Sequence, residues 1–335
     1  MGPVCRAGRE THAGTGKFPH VKWTADQLPD LTGRTAVVTG ANSGIGWFTV
    51  RELAGHGARV VLACRDAERG KQAADRIRSA VPSAELDVAE LNLASMKSVR
   101  GFGDSWTGPL DLLVNNAGVM APPKPVTTED GFELQFGTNH LGHYVLTGLL
   151  LPALLASPAP RVVTVASIAH HGGTDRVLEG NAGEGYHPQR TYSNTKLANL
   201  LFAAELQRMA SARGLPLVSV AAHPGVSSTG LVGDPQGMGA SRFMRTVAPV
   251  FVKLFTQSAT AGARPTLYAA TQAEPGSYTG PQRFGETRGP IGPARLSTLA
   301  NEEKLARRLW QVSEELTGFR YRWSSGASSS PAPRP

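Results

Sequence analysis

Six short apolar runs, separated by longer stretches, set what this chain can fold into. They are "TAVVT" (35–39), "RVVLAC" (59–64), "AELDVAEL" (84–91), "LDLLVN" (110–115), "RVVTVAS" (161–167) and "LVSVAAH" (217–223). Continuous β-branched and apolar residues suit strands buried on both faces, as in a parallel sheet. The intervening stretches are long enough for crossover helices. Strand alternating with helix predicts a doubly wound α/β fold, a mostly parallel seven-stranded sheet with helices on both faces. A last helix is legible too. Asn301 can cap it, Glu302 and Glu303 favour its positive end, Leu305, Leu309, Val312 and Leu316 share one face, and Gly318 can close it.

The remaining composition narrows the class. Residues 1–20 lack periodicity and residues 324–335 form a Ser/Pro/Ala tract, so both are expected to be disordered around one domain at 21–323. The net charge of +8 sits mostly in the ends, +3 in residues 1–22 and +3 in residues 319–335, which leaves +2 for the body. Without a basic cluster in the body, nucleic acid is not an expected partner. Cys5 and Cys64 offer no disulfide framework and no metal spacing, so a reducing, cytoplasmic setting is expected and no metal. The most apolar segment, Tyr144 to Ala156, is too short to span a bilayer and holds Pro152, and the N-terminus lacks the apolar core of a signal peptide. "AGTGKF" (13–18) lacks the spacing of a phosphate-binding loop and reads as tail.

"VVTGANSGIG", Val37 to Gly46, follows the first strand and opens a helix. Glycines there permit a tight turn and close approach of a pyrophosphate, and the helix N-terminus offers free N–H groups. A glycine-rich turn without a ligand is the plain alternative. After the second strand comes "LACRD". An acid directly after the strand would hold a ribose 2′-hydroxyl, whereas Arg65 would pair with a 2′-phosphate, which favours NADP(H) over NAD(H). Asp66 can point away and cap the next helix, and a solvated loop arginine is the alternative for Arg65.

Further along stand "NNAG" (115–118), Asn139 within a helical stretch, Ser167 at the end of the fifth strand, Tyr192 one helical turn before Lys196, and "HPG" (223–225). Each has an ordinary explanation alone: a strand end, a surface Asn, a chance Tyr-x-x-x-Lys. In this order, after Thr-Gly-x-x-x-Gly-x-Gly, they resemble the short-chain dehydrogenase/reductase family over about residues 23–320. "TGANSGIG", "LACRD", "NHLGHY", "SIAH" and "HPG" look most like its retinol dehydrogenase and WW-domain oxidoreductase branch, without a WW module or an N-terminal anchor.

The resemblance implies a Rossmann fold and roles by position. Tyr192 matches the catalytic acid/base, Lys196 its partner, Ser167 the carbonyl-polarising hydroxyl and Asn139 the fourth member. Gly40, Asn42, Ser43, Gly44, Ile45 and Gly46 match the cofactor loop. Arg65, Asn92, Leu93, Asn116, Ala117, Gly118, Tyr192, Lys196, Pro224, Gly225 and Thr229 match further cofactor contacts. Asn92 stands where the family usually has an aspartate, and Ala166 where this branch often has a serine.

In the implied chemistry, Lys196 and an oxidised nicotinamide ring together lower the Tyr192 phenol from its usual pKa of about 10. Tyr192 gives its proton to a carbonyl oxygen, Ser167 donates a hydrogen bond to that oxygen, and Asn139 positions a water beside Lys196. Residues 226–258 fall where the family carries a lid. Their Met238, Phe243, Met244, Val247, Val250 and Phe251 hint at a lipophilic small-molecule substrate, or pack as an ordinary helix, and with Arg242, Arg245 and Lys253 offer a face to a membrane surface. Homo-oligomers through helices flanking the sheet follow from family analogy. An epimerase or dehydratase on a related fold, and a cofactor-binding sensor without turnover, are the rival readings. The first-loop spacing argues against the former and the full set of four residues against the latter.

Overall fold

The computed structural model describes residues 23–180, 185–226 and 258–323. The two tails, most of the lid stretch and Thr229 lie outside the described residues.

The apolar runs form β1 (Thr35–Thr39), β2 (Arg59–Cys64), β3 (Leu86–Glu90), β4 (Leu112–Asn115), β5 (Arg161–Val165) and β6 (Val218–Ala222). Two more strands follow, β7 (Tyr278–Arg283) and β8 (Arg288–Pro293). The eight-stranded sheet has the order β3-β2-β1-β4-β5-β6-β7-β8. β1 to β7 are parallel, and β8 returns antiparallel on β7. The expected sheet thus gains an eighth strand. β8 is "RGPIGP", with two glycines and two prolines, and no apolar run announces it. Proline survives there because β8 is an edge with one partner.

Helices cover both faces. On one lie α1 (Gly44–Gly55) and α2 (Ala67–Ala80), joined later by α6 (Ala259–Thr271). On the other lie α3 (Met96–Ser105), α4 (Gly142–Leu155), α5 (Pro188–Ser211) and α7 (Glu303–Thr317). The sheet residues divide by alternation: Val37 packs toward the second group, Ala36 and Val38 toward the first. α4 enters through one turn, Leu134–Phe136, and a π turn, Gly137–Leu141.

The last helix starts later than its sequence suggests. Glu302 is its N-cap, and Asn301 instead ends a short 3-10 turn and donates from Nδ2 to Ser297 O at 3.3 Å. Gly318 closes it in the left-handed region, φ +61°. No helix among the described residues is long and apolar enough to cross a membrane.

Candidate active site

β1 and β4 are neighbours, and the chain winds outward from them in opposite directions. That reversal leaves a crevice beyond the carboxyl ends of the strands. A cavity of about 1050 Å³ occupies it, lined from the β1–α1 loop to Tyr192, Lys196, Pro224 and Gly225.

The β1–α1 loop forms one wall. Gly40 (φ +65°) and Gly44 (φ +55°) take left-handed backbone, which glycine adopts without a steric cost. Gly46 answers a different need, since a Cβ there would lie 2.5 Å from Gly40 O and 2.6 Å from Asn116 Nδ2. Ser43 is the N-cap of α1, yet its side chain makes no capping bond. The first-turn N–H groups of α1 therefore stay open beside the cavity, where they attract an anion. Asn42, Ser43 and Ile45 line the same wall.

At the far end, Arg65 follows β2, and Asp66 is spent on α2, accepting from the Arg69 N–H at 3.0 Å. Arg65, Arg69, Gln72 and Arg76 recur at helical spacing and line this end together. Arg76 Nη2 donates to Asn42 O at 3.3 Å, and Arg76 Cζ lies 5.7 Å from the Trp47 ring centroid. Asn92 and Leu93 line the cavity as well, although the Asn92 carboxamide oxygen already accepts from the Ala94 N–H at 3.1 Å. These groups could hold a dinucleotide with an extra phosphate. Among the described residues no group of His, Cys, Asp and Glu could hold a metal.

The β4 end is tied to β1 through Thr39. The Asn116 and Ala117 N–H groups each donate to Thr39 Oγ1 at 2.9 Å, and Asn116 Nδ2 donates to Thr39 O at 2.7 Å. Gly118 comes next, and a Cβ on it would stand 3.2 Å from Asn139 Oδ1 and 3.7 Å from Lys196 Nζ.

Ser167, Tyr192 and Lys196 line the cavity, with Asn139 behind Gly118. Ser167 lies two residues past β5 and caps the 3-10 turn Ile168–Gly172. Its Oγ accepts from the Ala169 N–H at 3.2 Å, so the hydroxyl proton is directed elsewhere. Asn139 is fully buried, which rules out the surface position that its sequence context allows. It sits in the π turn and braces the β4 loop: its Oδ1 accepts from the Val119 N–H at 2.8 Å, and its Nδ2 donates to Val119 O at 2.9 Å and Thr195 Oγ1 at 3.0 Å.

The protein's own groups do not by themselves lower the Tyr192 phenol. Burial pushes the Tyr192 phenol up to about 12, against the lowering effect of Ser167. Lys196 Nζ stands 5.7 Å from the Tyr192 ring centroid and donates to Val165 O at 3.1 Å. Burial also pushes Lys196 itself down to about 8. Without another charge at the site, desolvation outweighs the ammonium.

Pro224 and Gly225 follow β6 along the cavity, Gly225 at φ +67°. Sequence reasoning missed Val119, Met120, Thr138 and Gln189, which line the cavity through ordinary packing chemistry and carry no signal. It also passed over His143 and His170, although His143 stands four residues after Asn139 and His170 three after Ser167.

An open doubly wound sheet with an anion-attracting cavity at its switch point defines a nucleotide-binding α/β protein. Residues 34–236 match the short chain dehydrogenase family. Polyprenol dehydrogenase of Mus musculus is 42% identical over 299 residues, 87% of this chain and 86% of that protein. Retinol dehydrogenase 13 of Homo sapiens is 39% identical over 293 residues, 86% of each. Among solved structures, an uncharacterized protein from Mycobacterium Paratuberculosis superposes with a TM-score of 0.75 at 42% identity, covering 90% of this chain and 100% of that one. A gluconate 5-dehydrogenase from Beutenbergia cavernae, at 23% identity and a TM-score of 0.56 over 74% of this chain and 95% of that one, shares the fold. The chain belongs to the short chain dehydrogenase family, in its retinol dehydrogenase-like branch. It is an oxidoreductase acting between carbonyl and alcohol groups.

Proposed function

We propose that this protein is an NADP(H)-dependent oxidoreductase that interconverts a carbonyl and an alcohol on a lipophilic small molecule, with Tyr192 as the acid/base. One observation carries the reading: Tyr192, Lys196 and Ser167 converge on a cavity whose opposite end carries Arg65 together with Arg69 and Arg76 of α2. The names of the similar proteins, which act on retinol and polyprenol, support a long apolar substrate.

A bound nicotinamide dinucleotide would supply the hydride chemistry. The chain's own part is to bind, orient and move a proton. The open turn of α1 takes the pyrophosphate and Arg65 the 2′-phosphate, with Asn116, Ala117, Gly118, Pro224 and Gly225 walling the rest. Tyr192, held as the neutral phenol by burial, is in the form that can give its Oη proton to a carbonyl oxygen. Ser167, with one lone pair taken by Ala169, donates to that same oxygen as charge develops. Lys196, 5.7 Å from the Tyr192 ring, keeps a positive charge there at neutral pH. Thr229 belongs to the same contact set by family position.

The test is a panel of long-chain, retinoid, sterol and polyprenoid carbonyls and alcohols with NADPH and NADH in parallel. Turnover on at least one is expected, together with loss of at least about a hundredfold in kcat for Tyr192→Phe. A Tyr192→Phe protein with undiminished kcat would remove Tyr192 from the chemistry.

A further inference from the structure

His143 lies fully inside the protein on α4, and both its ring nitrogens are engaged. Nε2 is 2.8 Å from Thr39 Oγ1, and Nδ1 is 3.0 Å from Asn139 O. The proton count settles which nitrogen donates. Thr39 Oγ1 already accepts two N–H groups, from Asn116 and Ala117, each at 2.9 Å. Its lone pairs are taken, and its single proton has two choices, Val114 O at 3.4 Å or His143 Nε2 at 2.8 Å. The short contact makes Nε2 an acceptor. Nδ1 then carries the hydrogen and donates to the Asn139 carbonyl, a group that could only repel a bare nitrogen. An imidazolium would place a third donor on Thr39 Oγ1, and burial opposes it, pushing His143 down to about 4.

The chain of bonds runs without a gap. It starts at the two N–H groups of the Asn116–Ala117 wall, passes through Thr39 and His143, and ends at Asn139 in the π turn. From Asn139 the side chain reaches Val119 and Thr195, the residue before Lys196. We propose that His143 is a positioning residue that ties the dinucleotide wall at Thr39 to the carbonyl of Asn139, working as the Nδ1–H tautomer. This rests on the dinucleotide-dependent reading given above.

His140, one turn earlier, provides an internal contrast. Its Nε2 lies 2.8 Å from Ser313 Oγ, and that hydroxyl gives its proton to Leu309 O at 2.8 Å. Ser313 therefore accepts, and His140 carries its hydrogen on Nε2. Two histidines on one stretch of helix thus hold opposite tautomers, set by the hydroxyl each one meets.

The experiment has two arms. Long-range ¹H–¹⁵N correlation of the histidine rings in the full chain, assigned with His143→Gln, reads the tautomers without any ligand. A protonated Nδ1 at His143 and a protonated Nε2 at His140 are expected, and a protonated Nε2 at His143 overturns the proposal. The second arm measures NADPH affinity. His143→Phe and Thr39→Val are expected to weaken it about tenfold, and His143→Gln and Thr39→Ser, which keep a donor and an acceptor, to stay within about threefold of wild type. Thermal melts identify a variant that fails to fold, and the wild-type ring spectrum decides without it. Affinity and kcat indifferent to His143→Phe sink this proposal alone. A wild type that binds neither NADPH nor NADH sinks the dinucleotide reading and this one with it.

Discussion

Lys196 shows what a buried ammonium costs a fold. Its ammonium is buried and bonded to Val165 O, and burial moves it from the ordinary 10.5 to about 8. Below pH 8 the folded protein keeps that charge at a cost of about 3 kcal/mol, the free energy of such a shift. Lys196→Met should therefore raise stability at pH 7 by about 1–3 kcal/mol while abolishing turnover. Val165 O is not orphaned by the change, because Asn199 Nδ2 also donates to it at 3.1 Å. The sign follows from the lowered value. Between pH 8 and 10.5 the folded chain sheds the proton that the unfolded chain keeps, so wild-type stability rises with pH across that window. Denaturant melts of both proteins should differ most below pH 8 and converge by pH 10.5. A Lys196→Met protein less stable than wild type at pH 7 would mean that the lysine contributes net stability.

At the scale of elements, the helix α2 turns one face to the cavity with Arg65 just ahead of it. "LACRD" is legible because strand end, arginine and capping aspartate are adjacent in sequence, and the structure puts Asp66 on the cap. Arg69 and Arg76 sit outside that short stretch, and only the helix brings them to the same end. Arg65→Gln should weaken NADPH binding by about tenfold or more and leave NADH binding within about threefold, since only the first loses a charge-assisted pair. Equal losses for both dinucleotides, measured by titration, would take Arg65 away from the 2′-phosphate. The π turn has no such local signature. "FGTNHLGHY" reads as ordinary helix, and the contact beside the extra residue is tertiary: Gly142 packs so tightly that a Cβ would sit 2.4 Å from Leu93 O. The glycine loop was readable from its place between a strand and a helix, and Tyr-x-x-x-Lys only from its order among the other motifs. β8 was not, because edge strands need no apolar run, and neither were the roles of Thr39 and His143, which exist only where β1 meets α4.

Across the whole molecule, the chain's last described stretch secures the helix that carries this machinery. After α7 the backbone crosses α4, and Tyr321 Oη donates to Tyr144 O at 2.7 Å, beside His143. The Tyr144 ring meets Phe202, Trp310, Phe319 and Tyr321 at centroid distances of 5.1–6.5 Å. Gly148 makes the crossing feasible, since a Cβ there would lie 2.2 Å from Phe319. The site is thus closed from a distance: residues 319–323 hold α4, α4 holds Asn139 and His143, and these hold the β4 wall. Tyr321→Ala should cost about 3–5 kcal/mol, the range for deleting a large buried aromatic. The loss has a direction as well as a size. If the strap sets α4, native-state hydrogen exchange should accelerate first in residues 137–155, ahead of α1 and α2 on the opposite face. Exchange that rises equally on both faces would assign the strap to global stability and leave the α4 machinery independent of it.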